Sequence, residues 1–97
     1  MRMMMRFTVP VEAGNRAVAD GTLGPAIEAV LEDLNPEAAY FFAEDGERSG
    51  MVIFDMADSS EIPRIAEPLF TKFDAAVQFV PVMNADDLKK GLGSLSS

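Results

Sequence analysis

The chain contains no cysteine, no histidine and no tryptophan. Without cysteine there are no disulfides, no thiolate nucleophile and no cysteine-ligated metal. Histidine is the usual general base near neutral pH and the commonest ligand of transition metals. A serine triad and a zinc site of the familiar composition are therefore excluded, and we expect neither a metal nor another cofactor.

Basic side chains are also scarce. Sixteen acidic residues stand against eight basic ones, which gives a formal net charge of −8. A surface of this sign repels nucleic-acid phosphates and anionic lipid headgroups. We therefore expect neither nucleic acid nor a membrane as a partner.

Long apolar runs are missing as well. No run approaches the length needed to cross a bilayer, and residues 1–6 lack the apolar segment and the small-residue cleavage site of a signal peptide. The expected location is the cytoplasm.

The 97 residues suit one folded domain, because 48% are hydrophobic and 25% are charged. We expect a single domain over residues 1–97, with a frayed tail at 93–97. A chain of this size leaves a large fraction of its surface exposed to solvent. A second copy that covers part of that surface is a reasonable expectation.

Apolar runs bounded by turn residues predict four strands. They cover Met3–Val9, Ala38–Ala43, Gly50–Met56 and Ala75–Met83. The polar connector between the second and third contains Asp45-Gly46, which is typical of an antiparallel hairpin. Pro81 inside the last run indicates an edge, a bulge or the end of the strand.

The segment from Glu12 to Leu34 has helical periodicity in its second half. Gly21, Gly24 and Pro25 predict a short helical piece, a break and then the main helix. Asn35-Pro36 should end that helix, because the residue before a proline is disfavoured in helical conformation.

Two later segments also predict helices. Asp58 and Glu61 have the spacing of a capping box before the second helix, in which Pro68 should cause a bend or an early end. Asn84 opens a short terminal helix, and Gly91 lies just past its expected end.

This order of elements predicts an α+β fold of the ferredoxin-like βαββαβ type, with a four-stranded antiparallel sheet and both helices on one face. Alternation along the strands separates the two faces of the sheet. The face toward the helices is predicted to carry Met5, Phe7, Val9, Phe41, Val52, Phe54, Val77 and Phe79. The opposite face would carry Met4, Arg6, Thr8, Tyr40, Phe42, Met51, Ile53, Asp55, Gln78, Val80 and Val82. So much apolar area on an open face is typical of an interface or a binding groove.

Four segments carry a resemblance to a known superfamily: Tyr40-Phe41-Phe42-Ala43, Gly50 to Asp55, Ala66 to Phe70 and Phe79 to Met83. With the element order and the half-polar open face, they resemble the dimeric α+β barrel superfamily, in particular a bacterial subfamily of unassigned activity. The superfamily includes antibiotic-biosynthesis-type monooxygenases, muconolactone isomerases and stress-responsive A/B barrel proteins. The resemblance implies a homodimer with two sheets packed face to face and a cavity in each protomer. Several of these enzymes use a histidine in that cavity, and this chain has none.

Asp55 and Tyr40 are the candidate catalytic residues. If Asp55 faces the cavity, desolvation would raise its pKa toward the range of a general base. Alternatively, Asp55 is a solvated strand end or a cap for the turn at 57–58. Tyr40 is suited equally to orienting a ligand and to anchoring a dimer partner.

The candidate ligand-binding residues are Arg6, Tyr40, Phe42, Ile53 and Gln78. Arg6 could pair with Asp55 or hold a ligand carboxylate, and an interface salt bridge is an equal alternative. Gln78 needs a hydrogen-bond partner if it is buried, and that partner is more often protein than ligand.

Three interpretations of the function follow, and the sequence leaves open whether the protein is an enzyme. The favoured one is a homodimeric protein that binds a small, partly apolar molecule between sheet and helices. The alternative is a cofactor-independent isomerase, cyclase or monooxygenase acting on an aromatic or polyketide-like substrate. Asp55 would then be the base, with Tyr40 and Arg6 orienting. A purely structural interaction role is the third interpretation.

Overall fold

The computed structural model describes residues 1–96, so Ser97 of the expected tail lies outside the described residues. The strands are β1 (Arg2–Val9), β2 (Ala38–Glu44), β3 (Glu47–Asp55) and β4 (Ala76–Pro81). The helices are α1 (Val11–Ala19), α2 (Leu23–Leu34), α3 (Ile62–Phe73) and α4 (Ala85–Gly93). Short 3-10 turns cover Ser59–Glu61 and Ser94–Ser96. None of the described helices is long and apolar enough to cross a bilayer.

The four strands form one antiparallel sheet in the order β2-β3-β1-β4, which confirms the ferredoxin-like prediction. The hairpin between β2 and β3 is also confirmed. Glu44 pairs with Glu47, and Asp45 and Gly46 between them have φ of 52° and 77°. Positive φ at both central residues gives a turn whose twist matches that of the strands.

The predicted breaks in the helical segments are confirmed. Gly21 has φ of 75° between α1 and α2, and Asn35 ends α2 with φ of 44° just before Pro36. The capping box also forms: the Ser60 N–H donates to Asp58 at 2.9 Å, and the Asp58 N–H donates to Glu61 at 3.1 Å.

One alternative for Pro68 and one predicted helix end are wrong. Pro68 does not end α3 early, since the helix continues to Phe73, and the alternative of a bend stays a prediction. A proline removes one backbone donor, and the burial of Ile65, Leu69 and Phe73 keeps the remaining turns on the sheet. The terminal helix likewise runs through Gly91 to Gly93, because Gly91 does not adopt the left-handed conformation that ends a helix.

The hydrophobic core lies between the sheet and α1, α2 and α3. Of the residues predicted to face the helices, Met5, Phe7, Val9, Val52 and Phe54 are buried, and Val77 and Phe79 are partly buried. Phe41 points to that face yet stays 51% exposed, because β2 is an edge strand that the helices do not fully cover.

The other face of the sheet is open, since α1, α2 and α3 all contribute to the core on the helix side. Its largest apolar side chains range from half-buried to exposed. They are Met4, Tyr40, Phe42, Met51, Ile53, Val80 and Val82. The apolar surface expected on this face is therefore present.

Candidate functional site

An apolar groove of about 430 Å³ lies between the sheet and the helices, at the β2 edge. Leu23 and Ile27 of α2 form one wall. The strands supply the other side, with Phe7, Val9, Phe41, Phe42, Ala43, Arg48 and Ser49. We refer to this space as the sheet–helix groove.

Gly50 of β3 makes room for two of the rings that line the groove. A Cβ at position 50 would lie 2.5 Å from Cζ of Phe7 and 3.0 Å from Cδ1 of Phe41, so only glycine leaves room for both rings. The two ring centroids are 6.5 Å apart and the rings are tilted by 57°. Phe41 therefore leans over bare backbone and presents its exposed side to the groove.

Arg48 is the one charged side chain among the described residues that line the groove. Its Nη1 donates to Oδ1 of Asn15 at 3.1 Å and lies 2.6 Å from where a Cβ on Gly14 would be. Helix α1 thus positions the guanidinium in two ways: Asn15 accepts a hydrogen bond from it, and Gly14 has no side chain that would displace it. The groove combines apolar walls with a single cation.

A second groove lies between α2 and α3, and its volume is about 220 Å³. Arg64 is at its edge: Nη1 donates to Asp33 at 2.5 Å and Nη2 donates to Glu61 at 3.1 Å. These bonds raise the pKa of Arg64 above its usual value. Ligand pockets typically measure ~300–1,000 Å³, so of these two grooves the sheet–helix groove is the better candidate.

The predicted ligand-binding residues lie on the open face, and the register brings three of them together. Tyr40 is opposite Met51, Met51 opposite Arg6, and Arg6 opposite Gln78, so one row crosses the sheet. Phe42 lies in the next row and is also among the residues lining the sheet–helix groove. Ile53 lies in the row on the other side.

One alternative from the sequence is that Arg6 pairs with Asp55. In the structure Arg6 has a different partner. Its guanidinium donates to the carboxylate of Glu44, and its carbon Cζ lies 5.5 Å from the centroid of the Phe42 ring. The ion pair and the stacked ring both hold Arg6 at the hairpin end of the open face, away from Asp55.

Asp55 lies at the far end of the open face, opposite Arg2 in the register. It lies four positions after Met51 along β3, which places it roughly 13 Å from the row of Tyr40. Its side chain is 84% exposed, and Oδ1 accepts from the N-terminal ammonium at 2.7 Å. That hydrogen bond and the charge of the ammonium lower the pKa of Asp55. In the single chain the pKa of Asp55 is therefore lowered, and a raised pKa in a cavity between two copies stays a prediction.

The sequence pattern does not single out Arg48 and Gly50 as functional residues. It assigns Arg48 to the hairpin connector, and only the place of Arg48 in β3 puts it beside α1. A glycine inside an apolar strand indicates that another group approaches the backbone closely, so Gly50 is the sequence feature that could have predicted the packing of Phe7 and Phe41 beside the groove.

Comparison with known proteins gives no family for this chain. No protein-family model matches it, and no curated protein matches its sequence. What can be said of its function rests on the fold and on the grooves. Within the described residues, no group of three or more carboxylate, histidine or cysteine side chains is placed to hold a metal ion.

Proposed function

We propose that this chain is a homodimeric cytoplasmic protein that binds a small, partly apolar molecule with an anionic end in the sheet–helix groove. The observation that carries the proposal is the groove itself. Its walls are apolar, its volume is about 430 Å³, and Arg48 is the charged residue in its lining.

The groove suits a ligand of modest size. Its volume lies within the range of ~300–1,000 Å³ that holds small molecules. Phe7, Phe41, Leu23 and Ile27 offer rings and branched chains to an aromatic or aliphatic body. Burial of such a body is favourable at about 25 cal/mol per Å² of apolar surface.

Arg48 suits an anionic group on that ligand. A guanidinium has five N–H donors in a planar fork, which matches a carboxylate, and Asn15 accepts from one nitrogen of Arg48. A carboxylate at this end of the groove would be bound by a charge-assisted hydrogen bond, and the remaining body would lie against Phe41 and Leu23.

The homodimer is proposed from the open face. Met4, Met51, Ile53 and Val80 form an apolar centre on a sheet whose other side is packed against α1, α2 and α3. Two sheets packed face to face, as in the dimeric α+β barrel superfamily, would cover this centre. A stable interface of this kind buries about 800 Å² on each partner.

We favour binding over the isomerase, cyclase or monooxygenase alternative because of the pKa and the exposure of Asp55. A general base works best when its pKa is near the working pH. The pKa of Asp55 is lowered instead, and the side chain lies in solvent about 13 Å along the sheet from Tyr40.

A fluorescence titration tests the proposal with two probes: anilinonaphthalene sulfonate, which is apolar and anionic, and Nile red, which is apolar and neutral. We expect Ala43→Leu, which fills the groove, to weaken both probes. Arg48→Gln should weaken the anionic probe alone, by about tenfold, because it removes one charge-assisted hydrogen bond.

Ala29→Leu is the matched control, since it makes the same change in the groove between α2 and α3. It should leave both affinities unchanged. Equal binding of both probes to the wild type and to Ala43→Leu would overturn the proposal, and so would a loss confined to Ala29→Leu.

A further inference from the structure

The sheet–helix groove adjoins another apolar space, beside the turn between α1 and α2. The volume of this space is about 520 Å³. Three residues line both spaces: Leu23 and Ile27 of α2 and Phe41 of β2. The rest of its lining comes from the end of α1, the turn and the start of α2, namely Ala17, Val18, Gly21, Gly24 and Pro25. We call this space the turn groove.

The described residues that line the turn groove have no charged or polar side chain. Val18 is 53% exposed and Phe41 is 51% exposed, so apolar surface of the groove faces solvent. A methyl group added to Gly24 would meet no atom within 4 Å, so the groove is open beside that residue. Exposed apolar surface that continues a ligand groove is suited to an apolar part of the same ligand.

Hydrogen bonds within the chain fix the wall of the turn groove. The Thr22 N–H donates to the Ala17 carbonyl at 3.0 Å, and the Gly21 N–H donates to the Val18 carbonyl at 3.2 Å. The Thr22 hydroxyl donates to Oδ1 of Asp20 at 2.6 Å. These bonds hold the turn in one shape before a ligand binds, which reduces the entropy that binding costs.

The charge offered by the two grooves lies at one end. The Arg48 guanidinium lies beside Gly14 and Asn15 in the first half of α1, whereas Val18 and the turn groove are at the end of that helix. A ligand that occupies both grooves therefore meets a cation at one end and uncharged apolar side chains along the rest. This arrangement is complementary to a long apolar molecule with a single anionic end.

We infer that the ligand is the anion of an unbranched fatty acid, whose carboxylate binds Arg48 and whose chain passes Phe41 and Leu23 into the turn groove. The inference rests on the proposed function and specifies its ligand class. A compact aromatic anion would occupy the sheet–helix groove and leave the turn groove exposed. A long chain covers both, and each CH₂ that it buries there favours binding.

Isothermal titration calorimetry with octanoate and tetradecanoate, each below its critical micelle concentration, tests the inference. Tetradecanoate should bind the wild type about a hundredfold more tightly, because each fully buried CH₂ strengthens binding roughly fourfold and an open groove covers only part of the chain. Val18→Glu places a carboxylate in the turn groove. It should weaken tetradecanoate by about tenfold, because the chain would then have to desolvate a charge, and leave octanoate unchanged.

Leu92→Glu is the control, because Leu92 lies on α4, lines neither groove and is 56% exposed. The variant adds the same charge at a similarly exposed apolar position and should change neither affinity. Equal affinities of the two fatty acids for the wild type, or an equal effect of Val18→Glu on both, would overturn the inference. Binding of anilinonaphthalene sulfonate without either fatty acid would overturn the inference alone. Failure of all three to bind would overturn the proposed function as well.

Fatty acids that carry a nitroxide show the direction of the chain. A label near the methyl end should broaden the amide resonances of Val18 and Gly24 in ¹⁵N-labelled protein. A label near the carboxyl end should broaden those of Arg48 and Ser49 instead. If both labels broaden the same resonances, or if the order is reversed, the inferred path of the chain is wrong.

Discussion

Gly50 and Phe7 face each other in the sheet so that the phenyl ring lies over bare backbone. Cζ of Phe7 is 2.5 Å from where a Cβ on Gly50 would be. The same absence of a side chain admits Phe41 from β2. Gly50 therefore determines the packing of the core at this edge and the positions of two rings that line the sheet–helix groove.

Gly50→Ala should destabilise the protein, because the new methyl group forces Phe7 and Phe41 to move within a packed core. Overpacking of this kind costs about 1–3 kcal/mol. Urea unfolding followed by circular dichroism measures the change in the free energy of unfolding. The displaced rings should also weaken binding of both fluorescent probes.

Gly24→Ala is the control for that experiment. Gly24 lies in α2 and does not have positive φ, and a methyl group added to it would meet no atom within 4 Å. Alanine is favoured over glycine inside a helix by about 1 kcal/mol, so this variant should be as stable as the wild type or more so. A loss of stability as large as that of Gly50→Ala would contradict the packing argument.

Gly14→Ala should displace the guanidinium of Arg48 without unfolding the protein. The closest atoms to the added methyl belong to the flexible end of the Arg48 side chain, with Nη1 at 2.6 Å. Affinity for anilinonaphthalene sulfonate should fall, while affinity for Nile red and the melting temperature should hold. If the anionic probe binds this variant as tightly as the wild type, the position of Arg48 does not matter for the anion.

The capping box before α3 should make stability depend on pH. Hydrogen bonds from backbone N–H groups lower the pKa of both Asp58 and Glu61. A carboxylate with a lowered pKa in the folded state adds stability above its unfolded pKa of about 4, and that stability is lost as the pH falls through the folded value. The free energy of unfolding should therefore decline in acid.

Asp58→Ala tests this effect by urea unfolding at several pH values. The variant should be less stable than the wild type at pH 7, and the difference should shrink in acid, where the wild-type carboxylate is protonated. Ser59→Ala, in the same turn, is the control. A difference that stays constant across the acid range would show that the Asp58 charge is not responsible.

Ile53→Asp should separate the proposed dimer into folded monomers. Ile53 lies on the open face and is not part of the buried core, so a charge there opposes association but leaves the fold intact. Sedimentation equilibrium gives the mass and circular dichroism gives the fold. A variant that remains dimeric at micromolar concentration would show that the open face is not the interface.

Local sequence signals predict most of the fold. Asp45-Gly46 specifies the hairpin, Asn35-Pro36 the end of α2, and Asp58 with Glu61 the start of α3, because each acts within a few residues. Alternation overestimates the burial of Phe41, since it assigns a face without saying how far the helices cover an edge strand.

The site is harder to predict because it depends on contacts between distant residues. The ammonium of Met1 lowers the pKa of Asp55. Asn15 and Gly14 of α1 determine where the guanidinium of Arg48 lies. In both cases the residues that interact are more than 30 positions apart in the sequence. Alternation places Arg6 correctly on the open face, but a choice between Asp55 and Glu44 as its partner requires the strand register.

Mapping where an apolar anion binds, by nuclear magnetic resonance, is the most direct test of the proposed function. Decanoate added to uniformly ¹⁵N-labelled protein should shift the amide resonances of residues that line the sheet–helix groove, above all Phe41, Ala43 and Arg48. Resonances of Ala29 and Lys72, in the groove between α2 and α3, should not move. Shifts confined to that second groove, or to the row of Tyr40 and Gln78 on the open face, would contradict the proposed function.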